Sequence, residues 1–263
     1  MTLMTWDEQD RPVEMHRKVL VACPIGGQKQ YSINHWFEWI ANCDYEDFDV
    51  CICVNGSASK ELLEKLEQVE ITTKFDRLIR IKTLELKNSD KLSVIQKITY
   101  SREKIRRFAV ENDYDYIFFL DTDTIPVQTN IIERLIAWNK EVVSGVYFYK
   151  GTRQPVIIDR WTHTNVTLDM LEHHVNKREL LEVWGFGFGC VLFHKVIFSV
   201  AKFDYDLFGE ERTDDFGYVH IIEQLGVKRW LDSSILCQHL QNPEQENLKK
   251  EGKNLHFFWQ KGA

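Results

Sequence analysis

Strand-like and helix-like segments alternate through the first half of this chain. That alternation predicts an α/β fold, with a mostly parallel twisted sheet flanked by helices. Three observations carry the prediction. Apolar runs recur at Lys18–Cys23, Asp49–Val54, Leu78–Leu84, Tyr116–Leu120 and Val142–Phe148. Stretches of helical length and period separate them. Apart from Leu78–Leu84, the runs lack the apolar–polar alternation of a sheet with one wet face, as expected for strands buried on both faces.

The elements follow in order. Lys18–Cys23 reads as a buried strand that stops at Pro24-Ile25-Gly26-Gly27, because Pro and Gly punctuate regular structure. Ser32–Ala41 is aromatic-rich and of helical length. Asp49–Val54 is a second strand, ending at Asn55-Gly56-Ser57. Leu62, Leu63, Leu66 and Val69 keep helical spacing, and Leu78–Leu84 is a third strand. Ile98, Ile105 and Ala109 line one face of a long helix that ends near Asn112. Tyr116–Leu120 is a fourth strand, Ile131, Ile132, Leu135 and Ile136 mark a helix, and Val142–Phe148 is a fifth strand. The second half is less regular. Lys150–Glu182 has weak periodicity and carries Trp161, His163, His173 and His174. Phe188–Phe193 reads as a strand, 216–226 as a helix and Lys228–Leu231 as a short strand, with a turn before His239.

A length of 263 residues suits one large α/β domain. The domain is expected over 17–240, after a polar leader (1–16) and before a tail (241–263) that packs back on it. The formal net charge of -7 argues against a nucleic-acid partner, which needs surplus Lys and Arg. No run approaches the roughly 18 apolar residues of a membrane span, and the leader has no apolar signal stretch. The six cysteines form no CxxC pair and sit mostly in apolar runs. Buried free thiols in a reducing cytoplasm are expected. The tail ends in the cluster His256-Phe257-Phe258-Trp259, which folds back or makes a peripheral membrane contact. Nothing in the sequence specifies an oligomeric state.

The strongest chemical signal is Asp121-Thr122-Asp123, directly after the apolar run Tyr116–Leu120. In α/β sheets, ligands bind beyond the carboxyl ends of the strands. Two carboxylates one residue apart repel unless a cation neutralises them. Their oxygens suit Mg²⁺ or Mn²⁺, ions that bridge protein carboxylates to substrate phosphates. The bland alternative is a solvated turn, where Asp is common. A second signal is Thr213-Asp214-Asp215, at the start of the helix near 216. Thr213 or Asp214 serves there as a cap, leaving one carboxylate for chemistry. A third is His239, a lone histidine that is either structural or a metal ligand.

Read in order, these pieces resemble a GT-A fold glycosyltransferase of the family 2 type, from about Val19 to His239. Tyr114–Asp123 resembles the strand and DxD motif, and Val143–Tyr147 the strand that follows. Gly187–Leu192 resembles the small-residue segment on the acceptor side. Thr213-Asp214-Asp215 resembles the Thr-Glu-Asp motif, with Asp214 in the Glu place. The resemblance implies a UDP- or GDP-linked nucleotide-sugar donor and a saccharide or other hydroxyl acceptor. It implies a Mn²⁺ or Mg²⁺ ion on Asp121, Asp123 and His239, and donor contacts from Pro24, Gly26, Asn55, Arg102, Asp121, Thr122 and Asp123. It places Trp184, Gly187 and Asp214 by the acceptor and makes Asp215 the general base of an inverting transfer, kept ionised by the helix dipole. Two departures matter. Val54 stands where relatives carry a base-binding Asp, so Asn55 or a residue near Gly26 reads the base. Arg106 and Arg107 rival Arg102 on register.

Two other readings stay open. A sugar nucleotidyltransferase shares the sheet, metal and carboxylates, but the loop after the first strand offers Gly26, Gly27 and Lys29 without an Arg. A non-catalytic carbohydrate-binding protein would use Trp161 and Trp184 as stacking platforms. Gly185-Phe186-Gly187-Phe188-Gly189 precedes a strand, so it is no dinucleotide fingerprint. It marks a place where a ligand approaches the backbone.

Overall fold

The computed structural model describes residues 4–6, 12–14, 17–56, 59–152, 154–175, 179–208 and 213–240. The expected tail, 241–263, lies outside the described residues. Within the stretch read as a leader, β1 (Met4–Trp6) and β2 (Pro12–Glu14) pair antiparallel. Next come β3 (Val19–Gly26), α1 (Ile33–Asn42), β4 (Phe48–Asn55) and α2 (Ser59–Glu67). Then follow β5 (Glu70–Thr72), β6 (Leu78–Arg80), β7 (Lys82–Glu85) and α3 (Val94–Glu111). The middle holds β8 (Tyr116–Leu120), β9 (Thr124–Pro126), α4 (Ile131–Ala137), β10 (Val142–Val146), β11 (Ile157–Asp159) and α5 (Leu168–Val175). The last elements are β12 (Leu180–Phe186), β13 (Cys190–His194), α6 (Lys195–Phe198), α7 (Tyr205–Phe208), α8 (Asp214–Gln224) and β14 (Arg229–His239).

The main sheet runs β11-β12-β14-β10-β13-β8-β3-β4-β7, with β9 paired to β14. Its first half, β7-β4-β3-β8, is wholly parallel. Strand β13 enters antiparallel to both β8 and β10, and β14 returns parallel to β10. The carboxyl ends of β3, β4, β8, β10 and β14 therefore share one edge.

Side-chain alternation along each strand builds a core on both faces. Val19, Val21 and Cys23 pack with Trp36, Ile40, Leu62 and Leu135 of α1, α2 and α4. Leu20 and Ala22 pack with Ile105, Ala109, Tyr218 and Ile222 of α3 and α8. Each fully buried Leu, Ile or Phe contributes about 1.5–3 kcal/mol. Helix α3 starts at a capping box: Gln96 N–H donates to Ser93 Oγ, and Ser93 N–H to the Gln96 side chain.

Three boundaries differ from expectation. Strand β3 continues through Pro24, since it pairs with β8 only as far as Ala22. The missing Pro24 N–H thus falls where that side of the strand has no ladder. The expected third strand divides, its first part pairing with β5 and its second with β4; a hydrophobic run does not report a change of partner. Strand β14 runs without a turn through Asp232-Ser233-Ser234. There Ser233 Oγ donates to the carbonyls of His174 and Glu179, and Ser234 Oγ to Asp232, so polar residues that read as a turn are satisfied inside a strand. All six cysteines are buried and unbridged. Among the described residues, no helix is long and apolar enough to cross a membrane.

Candidate functional site

The apolar strand β8 delivers Asp121 and Asp123 to the shared carboxyl edge. Trp36 Nε1 donates to Leu120 O at 3.0 Å, which ties α1 to the strand end. Asp121 N–H donates to Gly189 O at 3.0 Å, Thr124 N–H to Asp121 O at 2.9 Å, and Leu240 N–H to Asp123 O at 2.7 Å. Ser32 Oγ donates to Thr122 Oγ1 at 3.2 Å. The turn is thus held from both sides, and Thr122, Asp123 and Thr124 are fully buried.

Three groups converge on Asp123. Lys29 Nζ donates to its Oδ1 at 3.0 Å, Lys150 Nζ lies 2.7 Å from Oδ2, and His239 Nε2 lies 3.5 Å from Oδ2. Burial alone would raise this carboxyl; His239, Lys29 and Lys150 reverse that and hold it well below the usual range. Oδ2 still lacks a well-directed hydrogen bond.

Arg102, Arg106 and Arg107 occupy different surroundings. Arg102 is buried and reaches Asp121 Oδ1 at 3.3 Å and Asp214 Oδ2 more closely. Arg106 is bound to Glu103 and to Phe198 O, and Arg107 to Glu103, away from the carboxylate pair. Thr213 occupies the N-cap position of α8 without a side-chain cap bond. The Asp214 carboxylate turns to Arg102 instead of capping. Burial, with Asp215 and Asp121 nearby, pushes Asp214 up to about 7 against the pull of Arg102. Asp215 Oδ1 accepts from the Thr213 hydroxyl and from Phe216 N–H. Desolvation also raises Asp215, against Thr213 and Arg102. That net direction is opposite to the one expected from the helix dipole, because desolvation outweighs it here.

On the other side, Gly26 and Asn55 pair across β3 and β4, and Pro24 is buried beside them. Asn55 Nδ2 donates to Ser101 Oγ at 3.1 Å, and Val54 is fully buried. The close approach expected at Gly187 is made by Tyr147: a Cβ on Gly187 would lie 1.8 Å from its hydroxyl. Tyr147 also crowds Gly189 and meets the His239 ring edge-on at 5.6 Å. Trp184 donates to Glu223 Oε2 at 3.1 Å and has ring contacts with His163 and Phe216. Trp161 is 87% exposed.

Sequence reasoning missed Lys150 and Tyr147, and weighed Lys29 only against an absent Arg. The available signal was position, since each follows or ends a strand whose carboxyl end lies on the site edge.

A divalent ion is tested by the donor set itself. His239 Nδ1 lies 2.7 Å from Phe148 O, and a carbonyl only accepts, so Nδ1 carries a proton. Nε2 is then the ring atom that faces Asp123 Oδ2, a donor to it when the ring is charged and an acceptor open to a metal ion when it is neutral. Among the described residues, no group of three or more His, Cys, Asp or Glu side chains is gathered closely enough to hold a metal alone. Asp123 and His239, with Asp121 adjoining, offer oxygen and nitrogen atoms of the kind a divalent ion takes, but too few to complete its coordination.

This sheet, with acidic residues at its carboxyl edge, has the GT-A glycosyltransferase fold. GalNAc-T7, in a structure with UDP, GalNAc and Mn²⁺, superimposes with a TM-score of 0.60 at 12% identity, over 88% of this chain and 45% of that one. S. aureus TarS (residues 1–349) gives 0.51 at 12% identity, over 87% of this chain and 62% of that one. A197 from STIV gives 0.51 at 15% identity, over 86% of this chain and 87% of that one. This chain thus spans less than two thirds of the first two. No protein-family model and no curated protein matches the sequence.

Proposed function

We propose that this chain is a metal-dependent glycosyltransferase, moving a sugar from a UDP- or GDP-linked donor to a hydroxyl acceptor. One observation carries the reading: the buried Asp123 carboxylate faces His239 Nε2 across 3.5 Å at the carboxyl edge of a GT-A sheet. A Mn²⁺ or Mg²⁺ ion on Asp121, Asp123 and His239 would supply Lewis-acid stabilisation of the departing phosphate. The GalNAc-T7 structure with UDP and Mn²⁺ supports that choice and makes UDP the first nucleotide to try.

The protein's own residues do the remaining work. Gly26 and Asn55, beside Pro24, line the base end. Arg102 holds Asp121 and Asp214 in place. Trp184 and Gly187 border the acceptor side. Asp215 takes the acceptor hydroxyl proton as the oxygen attacks the anomeric carbon, giving inversion. Desolvation raises its carboxyl, the direction that strengthens it as a base. The test is a screen of nucleotide-sugars with Mn²⁺, reading nucleotide release. Calorimetry with UDP and GDP, with and without EDTA, accompanies it. Release above background for one donor class is expected. No release and no nucleotide binding under any condition would overturn the reading.

A further inference from the structure

We infer that Lys29 and Lys150 bind the diphosphate of the donor, so that part of the diphosphate affinity needs no metal. This rests on the donor-site reading above. Two ammonium groups from separate connections, one after β3 and one after β10, meet on a single carboxylate, at 3.0 and 2.7 Å. Lys29 also lies 4.0 Å from Asp121 Oδ2, while Asp121 is already engaged by Arg102. Asp123 has no exposure, whereas the Lys29 and Lys150 side chains are 36% and 39% exposed. The cations therefore stand on the solvent side of the carboxylate, where a ligand arrives. One Asp123 charge does not balance both.

Lys150 is also aimed. Its Nζ donates to Tyr31 Oη at 3.1 Å, and that hydroxyl donates to Leu240 O at 3.2 Å. Its partner Asp123 Oδ2 is left without a well-directed bond. Each ammonium has three donors and keeps at least one clear of Asp123 on its exposed side. Phosphate oxygens can meet those donors whether or not a metal sits on Asp123, and lysine binds them as a point charge. Were the lysines only neutralising Asp123, their removal would change stability and leave diphosphate affinity alone.

The experiment is calorimetry with UDP and with inorganic pyrophosphate, in Mn²⁺ and in EDTA. It compares wild type, Lys29→Gln, Lys150→Gln, the double variant, and Lys29→Arg and Lys150→Arg, with folding followed by circular dichroism. Wild type should retain weakened binding in EDTA. Each Gln variant should lose about tenfold or more, as for a hydrogen bond to a charged group, and the double variant should lose the EDTA-resistant part. The Arg variants, which keep the charge and the fold, should retain most of it. Wild-type affinity in the folded Gln variants, an Arg variant as weak as its Gln counterpart, or complete loss of wild-type binding in EDTA overturns the inference and leaves the donor reading standing. A wild type that binds neither ligand in either condition overturns both.

Discussion

Arg102 Nη1 donates to Asp214 Oδ2 inside the protein. Through this pair α3, α8 and the turn after β8 share one guanidinium, because Nη2 reaches Asp121. The proximity of Asp214 and Asp121 raises Arg102 despite burial, so the cation is permanent.

Replacing Arg102 by Met leaves a buried carboxylate without its partner. Breaking a buried pair typically costs about 3–5 kcal/mol. The cost should depend on pH with a definite sign. Asp214 is raised to about 7 even with Arg102 present, and loss of Arg102 raises it further. Below the unfolded carboxyl range the group is neutral in both states and needs no partner. As pH rises through about 7 the folded state must carry the charge, and the stability tied to the proton is lost. Urea midpoints at pH 5 and pH 8 should therefore show a larger Arg102→Met deficit at pH 8. An equal deficit at both would contradict this account.

Asp123→Ala should abolish most of the metal-dependent part of UDP or GDP binding, because it removes the carboxylate facing His239. Titrations with and without EDTA measure that part as the difference between the two conditions. An EDTA-sensitive difference as large as that of wild type would count against the assignment.

Asp215→Asn should lower turnover by roughly 10²–10⁴-fold, the usual loss of a positioned base, with nucleotide binding nearly intact. Asp214→Asn should act chiefly on stability, since its carboxylate is committed to Arg102. Rates with the true acceptor and nucleotide affinities for both variants separate these roles. Near-normal turnover in Asp215→Asn, or a product that retains the donor's anomeric configuration, would remove Asp215 as the base.

Gly187→Ala should destabilise by about 1–3 kcal/mol, the usual cost of overpacking. Its Cβ would stand 2.8 Å from Tyr147 Cζ and from a methyl of Val156 as well as against the hydroxyl. Thermal denaturation checks it. An unchanged melting point would mean that Tyr147 moves aside freely.

Much of the frame was legible from local pattern. The apolar runs at Val19, Val50, Ile117 and Val142 became sheet strands because burial on both faces leaves the same mark in any sequence of this class. The place of Asp121 and Asp123 after β8 followed from where that run stops. The less regular second half resisted, since β12, β13 and β14 are defined by whom they pair with. Antiparallel insertion of β13 between β8 and β10 leaves no periodic signal.

The sequence by itself determined the class of fold, the strand that presents the two carboxylates and the chemistry those oxygens favour. Only the tertiary structure decided what surrounds them. Lys29, Asp123, Lys150 and His239 lie far apart along the chain and meet because the strands before them end on one edge. Arg102 was separated from Arg107 by which side of α3 packs inward, and from Arg106, buried on the same side, by one turn of the helix. Tyr147 filled the space over Gly187 that local sequence could only mark as small. Hydrophobic period is a property of neighbours in sequence, whereas pairing of charges is a property of neighbours in space.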